Sequence, residues 1–235
     1  MNDKDNPGLA IAYDDGTGTQ ANMKTATAES DANVKIISGI LTLDKVPDFG
    51  FGTAAAGSTV DLQDNSSVID NDGNQSGILQ VTDSRANGTT AGSTAGFDVT
   101  AQLGAFTDGT KNADGTDKAV EGAFTLALQP VQLTTSTNSK DVIQGQKSLA
   151  ASMTSGGTGS ASDTAPVLNL AKDSYSNGAI IAQFAAQTGS PNADAQLTVP
   201  GEAANATNAS VKSVHSIITW TLTPKAMDKT AASGE

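Results

Sequence analysis

"AGFDVTAQLGAF", Ala95 to Phe106, is the stretch whose reading decides the fold. Phe97, Val99, Ala101 and Leu103 fall on one side of an extended chain, with Asp98, Thr100 and Gln102 on the other. A period of two marks a half-buried β-strand. The same texture returns downstream. "AVEGAFTLALQPVQL" sets Phe124, Leu126 and Leu128 against Thr125, Ala127 and Gln129. "SVHSIITWTLTP" places Val214, Ile218, Trp220 and Leu222 on one face, and Pro224 ends it. Upstream, "VKIISGILTLDKVPDFGFG" (Val34–Gly52) has Leu41 and Leu43 opposite Ile40, Thr42 and Asp44, and stops at Pro47.

Shorter extended segments lie around Val60 to Leu62, in "ILQVTDSRANG" and in "AQLTVPG". "GAIIAQFAAQ" contains enough alanine for a helix. It is short and bounded by Asn-Gly and Thr-Gly, so it reads as a strand. No segment carries a long amphipathic helical pattern. Many short strands separated by turn signals predict an all-β sandwich or barrel-like domain with long polar loops. The expected division is a polar N-terminal segment, 1–33, with at most a short strand at "LAIAY", then one β domain, 34–226, and a tail, 227–235. "DGTKNADGTDK" (Asp108–Lys118) reads as a polar loop with two Asp-Gly turns, and "MTSGGTGSASDTAP" (Met153–Pro166) as a linker-like loop.

Composition narrows the function. The chain has 235 residues, a formal net charge of -12 and no cysteine. An acidic surface with no Lys/Arg cluster repels phosphate backbones, which argues against nucleic acid as a partner. Without cysteine there is no disulfide framework, thiolate metal site or cysteine nucleophile. No apolar run reaches membrane-spanning length, so no membrane insertion is expected. The start, "MNDKDNPGLA", has no apolar signal region. Much of the 37% hydrophobic share is alanine, so the core must be thin or depend on a few Phe, Leu, Ile and Val positions.

The residues that could carry chemistry point away from catalysis. His215 is the single histidine, has no partner in sequence, and sits on the strand face opposite Trp220, where a solvated ring is expected. No G-x-S-x-G elbow accompanies it. The oxygen-rich stretches Asp70–Asn74 and Asp108–Asp117 could suit calcium, but their spacing departs from an EF-hand and fits Asx-turn chemistry. No metal or other cofactor is therefore assigned. A glycoside hydrolase needs two carboxylates across a cleft, and no such pair stands out. Asp83 and Arg85 flank a turn and are expected to lock it as a bidentate ion pair.

Taken in order, "GILTLDKVPDFGFG", "LQVTDSRANG", "GFDVTAQLGAF", "VEGAFTLAL" and "ITWTLTP" resemble the WxL-domain family of Gram-positive cell-surface proteins, from about Val34 to Pro224. The second W-x-L motif, Trp220-Thr221-Leu222, is intact. The first is Phe97-Asp98-Val99, where the family has Trp-x-Leu. The resemblance implies a secreted protein on the cell wall that binds peptidoglycan non-covalently. It also implies a possible membrane-anchored partner surface protein. On that reading Trp220, Leu222, Phe97 and Val99 form the ligand-binding set, the two motifs sharing one face if their strands are neighbours. Phe97 keeps apolar area but lacks the indole donor, so altered or weaker ligand selectivity with the fold retained is expected. The plainer alternative is that Trp220, the chain's only tryptophan, is the heaviest piece of a thin core.

Overall fold

The structure is a computed structural model and describes residues 39–65, 77–85, 93–137, 141–157, 159–186, 193–204 and 212–227. The expected strand at "LAIAY", the whole 1–33 segment, the Asp70–Asn74 loop and the tail beyond Met227 lie outside them. Among the described residues there is no α-helix, only a 3-10 turn at Gly201–Ala203.

The described residues form fourteen strands: β1 (Leu41–Lys45), β2 (Thr59–Asp61), β3 (Ile78–Asp83), β4 (Phe97–Leu103), β5 (Thr107–Lys111), β6 (Asp117–Ala119), β7 (Thr125–Leu128), β8 (Gln132–Thr134), β9 (Val142–Lys147), β10 (Ala151–Thr154), β11 (Ala165–Leu170), β12 (Gly178–Gln183), β13 (Ala195–Thr198) and β14 (Ile218–Pro224). Every pairing is antiparallel. A five-stranded sheet has the order β1-β3-β12-β8-β9, a four-stranded sheet β10-β7-β13-β2, and a three-stranded sheet β11-β4-β14. β5 and β6 form a separate hairpin. Among the described residues no sheet closes on itself, so the architecture is sandwich-like and not a barrel. The Leu149 N–H bonds the Val167 carbonyl beside β10 and β11, tying the four- and three-stranded sheets together.

The period of two becomes burial where one face of a strand meets the core. On β4 Phe97, Val99, Ala101 and Leu103 are buried while Asp98, Thr100 and Gln102 are half-exposed. β7 repeats this with Leu126 and Leu128, and Phe124 just before the strand stacks on Phe106 at 4.2 Å between centroids. β12 shows no alternation: Ile180, Ile181 and Ala182 are all buried. It lies between β3 and β8, and an inner strand covered on both faces loses its polar face. Buried side chains from all three large sheets belong to one core cluster, including Leu79, Phe97, Leu126, Leu133, Leu168 and Phe184.

Four expectations are corrected. Asp108–Lys118 is not a plain loop: its ends pair as β5 and β6, and Lys111 bridges to Asp117. Its aspartates do bond their own turns, Asp108 accepting from the Thr110 N–H and hydroxyl and Asp114 from those of Thr116. Those bonds hold both carboxyls below the usual aspartate range, the hydroxyl bond contributing most. Nor is the Gly/Ser/Thr stretch after β10 a free linker. Ser155 and Ser162 are buried, and their Oγ atoms accept the N–H groups of Phe124 (3.2 Å) and Leu103 (3.0 Å). The closing strand is also shorter than its pattern. Val214 and His215 precede it, and His215 makes a backbone bridge to Thr107 with its Nε2 3.3 Å from Thr107 Oγ1, so the ring is half-buried and partnered.

Candidate functional site: the paired motif strands

β4 and β14 are hydrogen-bonded neighbours along their whole length. The register sets Ile218 opposite Leu103, Trp220 opposite Ala101, Leu222 opposite Val99 and Pro224 opposite Phe97. Facing residues in a pair project to the same side, so the two motifs share one face. They meet through their aliphatic members, Val99 and Leu222. Phe97 and Trp220 sit four positions apart along the pair, roughly 13 Å at strand rise. Trp220 stands across from the smallest residue of the row, Ala101, which leaves room beside its ring.

The members of that face differ in access. Phe97 and Val99 are fully buried. Trp220, Leu222 and Ile218 are half-buried against the same core, because β14 is the outer strand of its sheet. Only the β14 side of the motif pair therefore offers surface to a ligand. Position 97 has none, so exchanging Trp for Phe there acts on packing and reaches a ligand only through the strand. On the other face Thr219, Thr221 and Thr223 lie exposed opposite Gln102, Thr100 and Asp98. Lys225 closes the row, its Nζ 3.2 Å from Asp98 Oδ1 and donating to Asn169 Oδ1 at 2.6 Å and to the Leu170 carbonyl at 2.9 Å.

A buried polar cluster fixes the start of the first motif. Arg85 Nε and Nη2 donate to Asp83 Oδ1 (3.0 Å) and Oδ2 (2.8 Å), the bidentate pair expected from sequence. Three further contacts were not legible there. The Tyr175 hydroxyl donates to Asp83 Oδ2 at 2.6 Å, Arg85 Nη2 donates to the Gly96 carbonyl at 2.9 Å, and the Tyr175 ring meets Phe97 edge-on at 5.5 Å. Tyr175 lies 92 residues from Asp83, and its only sequence-level signal is that the chain has just two tyrosines. The Gly96 carbonyl also accepts the Lys225 N–H at 3.1 Å. One carbonyl thus joins the end of β3, the start of β4 and the end of β14. Gly96 has φ +85° and an added Cβ would stand 2.5 Å from the Leu170 carbonyl oxygen, so glycine is required.

Burial works to raise the Asp83 pKa, but the bonds from Arg85 and Tyr175 outweigh it and hold the carboxyl below the usual aspartate value. Burial and the bond to Asp83 push the Tyr175 hydroxyl well up, so it stays a donor. With its buried side-chain polar atoms all hydrogen-bonded to protein groups, the cluster has the character of a structural clamp. Among the described residues no group of three His, Asp or Glu side chains is placed to hold a metal ion. Glu121 and Glu202 share an open surface hollow with Gly122 and Pro200, and both are exposed to solvent. No helix among the described residues is long and apolar enough to cross a membrane.

No curated protein and no solved structure matches the chain. A family model does, described as WxL domain surface cell wall-binding, over residues 17–225. That match spans most of the sequence and includes both paired motif strands, placing the protein at the cell surface in a wall-binding role: the chain belongs to the WxL domain family of surface cell wall-binding proteins.

Proposed function

We propose that the domain is a non-catalytic module that holds peptidoglycan non-covalently through the open side of β14. Trp220 and Leu222 make the contact, and Phe97 and Val99 carry the strand from behind. The observation that supports this is the position of the only tryptophan: half-exposed, on an outer strand, backed by a fully buried row. An indole gives a flat apolar face for a sugar ring and an N–H for its hydroxyls.

Co-sedimentation with purified peptidoglycan tests it. A central aromatic anchor is worth about 2 kcal/mol or more, so Trp220→Ala should weaken binding by about 30-fold. Its circular dichroism spectrum should stay that of the wild type, because the ring is only half-buried. Equal sedimentation of the two proteins would sink the assignment.

A second expectation follows from charge. The protein carries -12 at neutral pH and has a sequence pI near 4.3, so its repulsion from an acidic wall polymer fades as pH falls. Binding should tighten from pH 7 towards pH 4.5, and more so at low salt. The Asp83 clamp is expected to keep its full contribution over this range. The carboxyl of Asp83 lies below its unfolded value of 3.8, so its contribution is complete above that value and is lost only as pH falls through the lower, folded one. Flat binding across the range would remove electrostatics from the account.

A second reading, a structural or adhesive subunit assembling with a membrane-anchored partner surface protein, draws support from the unpaired main-chain edge of β14. It predicts complexes that need the partner and little affinity for bare wall.

A further inference from the structure

Sheet edges are templates for further pairing, and proteins blunt them with short strands, charges, prolines or bulges. The described edges of the three large sheets follow that rule with one exception. β1 has a bulge between Leu43 and Lys45 and carries Asp44 and Lys45. β2 is three residues long and contains Asp61. β9 ends on Lys147 after a glycine at φ +73°. β11 carries Pro166 and a bulge, and the Leu149–Val167 bond joins its outer side to the neighbourhood of β10, itself four residues long. β14 is seven residues long, runs in unbroken register, has no charged residue, and has proline only at its last position. Nothing blunts it.

Hydrogen-bond phase shows which atoms that edge offers. The Gly104 N–H bonds the Ile217 carbonyl and the Lys225 N–H bonds the Gly96 carbonyl, at the two ends of one constant register. In an antiparallel ladder bonded pairs alternate, so Thr219, Thr221 and Thr223 turn their main-chain groups towards β4. Ile218, Trp220 and Leu222 turn theirs outward. β4 is the ladder partner of β14 among the described residues, and the outward side has none.

The sequence along that edge is symmetric in type about its centre: Ile218-Thr219-Trp220-Thr221-Leu222. A two-fold axis through Trp220 would lay it against itself, with Trp220 opposite Trp220, Ile218 opposite Leu222 and Thr219 opposite Thr221. Such self-complementarity is what an isologous two-fold interface requires. The lack of charge within the strand means the pairing brings no like charges face to face, despite the acidity of the whole chain. We propose that the outer edge of β14 pairs antiparallel with β14 of a second copy, centred on Trp220, to join two three-stranded sheets into one of six strands. This goes beyond the wall-binding reading and does not depend on it. The pairing uses main-chain groups, whereas wall contact uses side chains.

The absence of cysteine makes the register directly testable. In the proposed pair residues 219 and 221 of the two copies form a non-bonded antiparallel pair, with Cα atoms about 4.5–5.5 Å apart, which suits a disulfide. Thr219→Cys and Thr221→Cys proteins are made separately, mixed, and oxidised mildly. The expected result is a covalent dimer in the mixture and little in either protein alone. Equal cross-linking in the single proteins, or none in the mixture with circular dichroism unchanged, would overturn the proposal. Charge gives an independent arm. Thr219→Lys with Thr221→Lys faces lysine with lysine and should sediment at the 23.5 kDa of one chain. Thr219→Lys with Thr221→Glu faces lysine with glutamate and should return to twice that mass, as the wild type should. A wild type that stays monomeric at high concentration also overturns it, and would leave the edge to a strand of another protein.

Discussion

Arg85→Ala is expected to cost about 3–5 kcal/mol of folding stability, as breaking a buried ion pair does. The reason is the state of what remains. Asp83 has no exposed surface, so truncating Arg85 leaves a buried carboxylate with only the Tyr175 hydroxyl and backbone groups to offset its desolvation. The Gly96 carbonyl loses a donor as well, at the point where β3, β4 and β14 are tied. Urea titration should show the midpoint moving down sharply with little change in slope. Asp83→Ala should be of similar size, because it strands the guanidinium. Tyr175→Phe removes one bond to a charged group and should cost about 1.5–3 kcal/mol. The pH dependence separates the variants. Wild type loses this contribution only as pH falls below 3.8, through the folded Asp83 pKa, whereas Asp83→Ala should be flatter there. A shift below about 1 kcal/mol for Arg85→Ala would mean that water replaces the guanidinium and that the clamp is not one.

How much of this could be read from sequence depends on whether the signal is local. β4, β7 and β14 each turn one face to the core, so their alternation was visible: Phe97 and Val99 share a face of β4, and Trp220 and Leu222 a face of β14. β11 could not be read in the same way. Pro166 and the bulge after it break the period, giving buried residues at 165, 167, 168 and 170. β9 is interrupted by Gly145 and buries only Ile143. The Asp83–Arg85 pair was legible because its partners are two residues apart. Tyr175 was not, since only the tertiary fold brings it to Asp83. Nor does alternation say which strand of a pair lies outermost. That is why the four candidate residues look equivalent in sequence yet divide into two buried and two accessible ones.

The same division sets the second large expectation: Phe97→Ala should cost about 3–5 kcal/mol, the range for a fully buried phenylalanine. Two effects add in the native state. The vacated space lies at the buried start of β4 beside Val99 and Leu170, where β4 is held on both sides by β11 and β14 and cannot collapse inward. The edge-on contact with Tyr175 is also lost, worth about 0.5–1.5 kcal/mol, and with it the packing that aims the Tyr175 hydroxyl at Asp83. Phe97→Ala and Tyr175→Phe should therefore be non-additive in a double-mutant cycle. Phe97→Trp, which would restore the family's aromatic at the first motif, should also destabilise by about 1–3 kcal/mol, because the added ring has no exposed side to expand into. Thermal melts of Phe97→Ala, Phe97→Trp and Trp220→Ala side by side check the whole ordering. Trp220→Ala should melt closest to wild type while losing the most wall binding, and Phe97→Trp should bind wall normally wherever it is folded. If Trp220→Ala melts as low as Phe97→Ala, the second motif is core like the first and the ligand surface lies elsewhere.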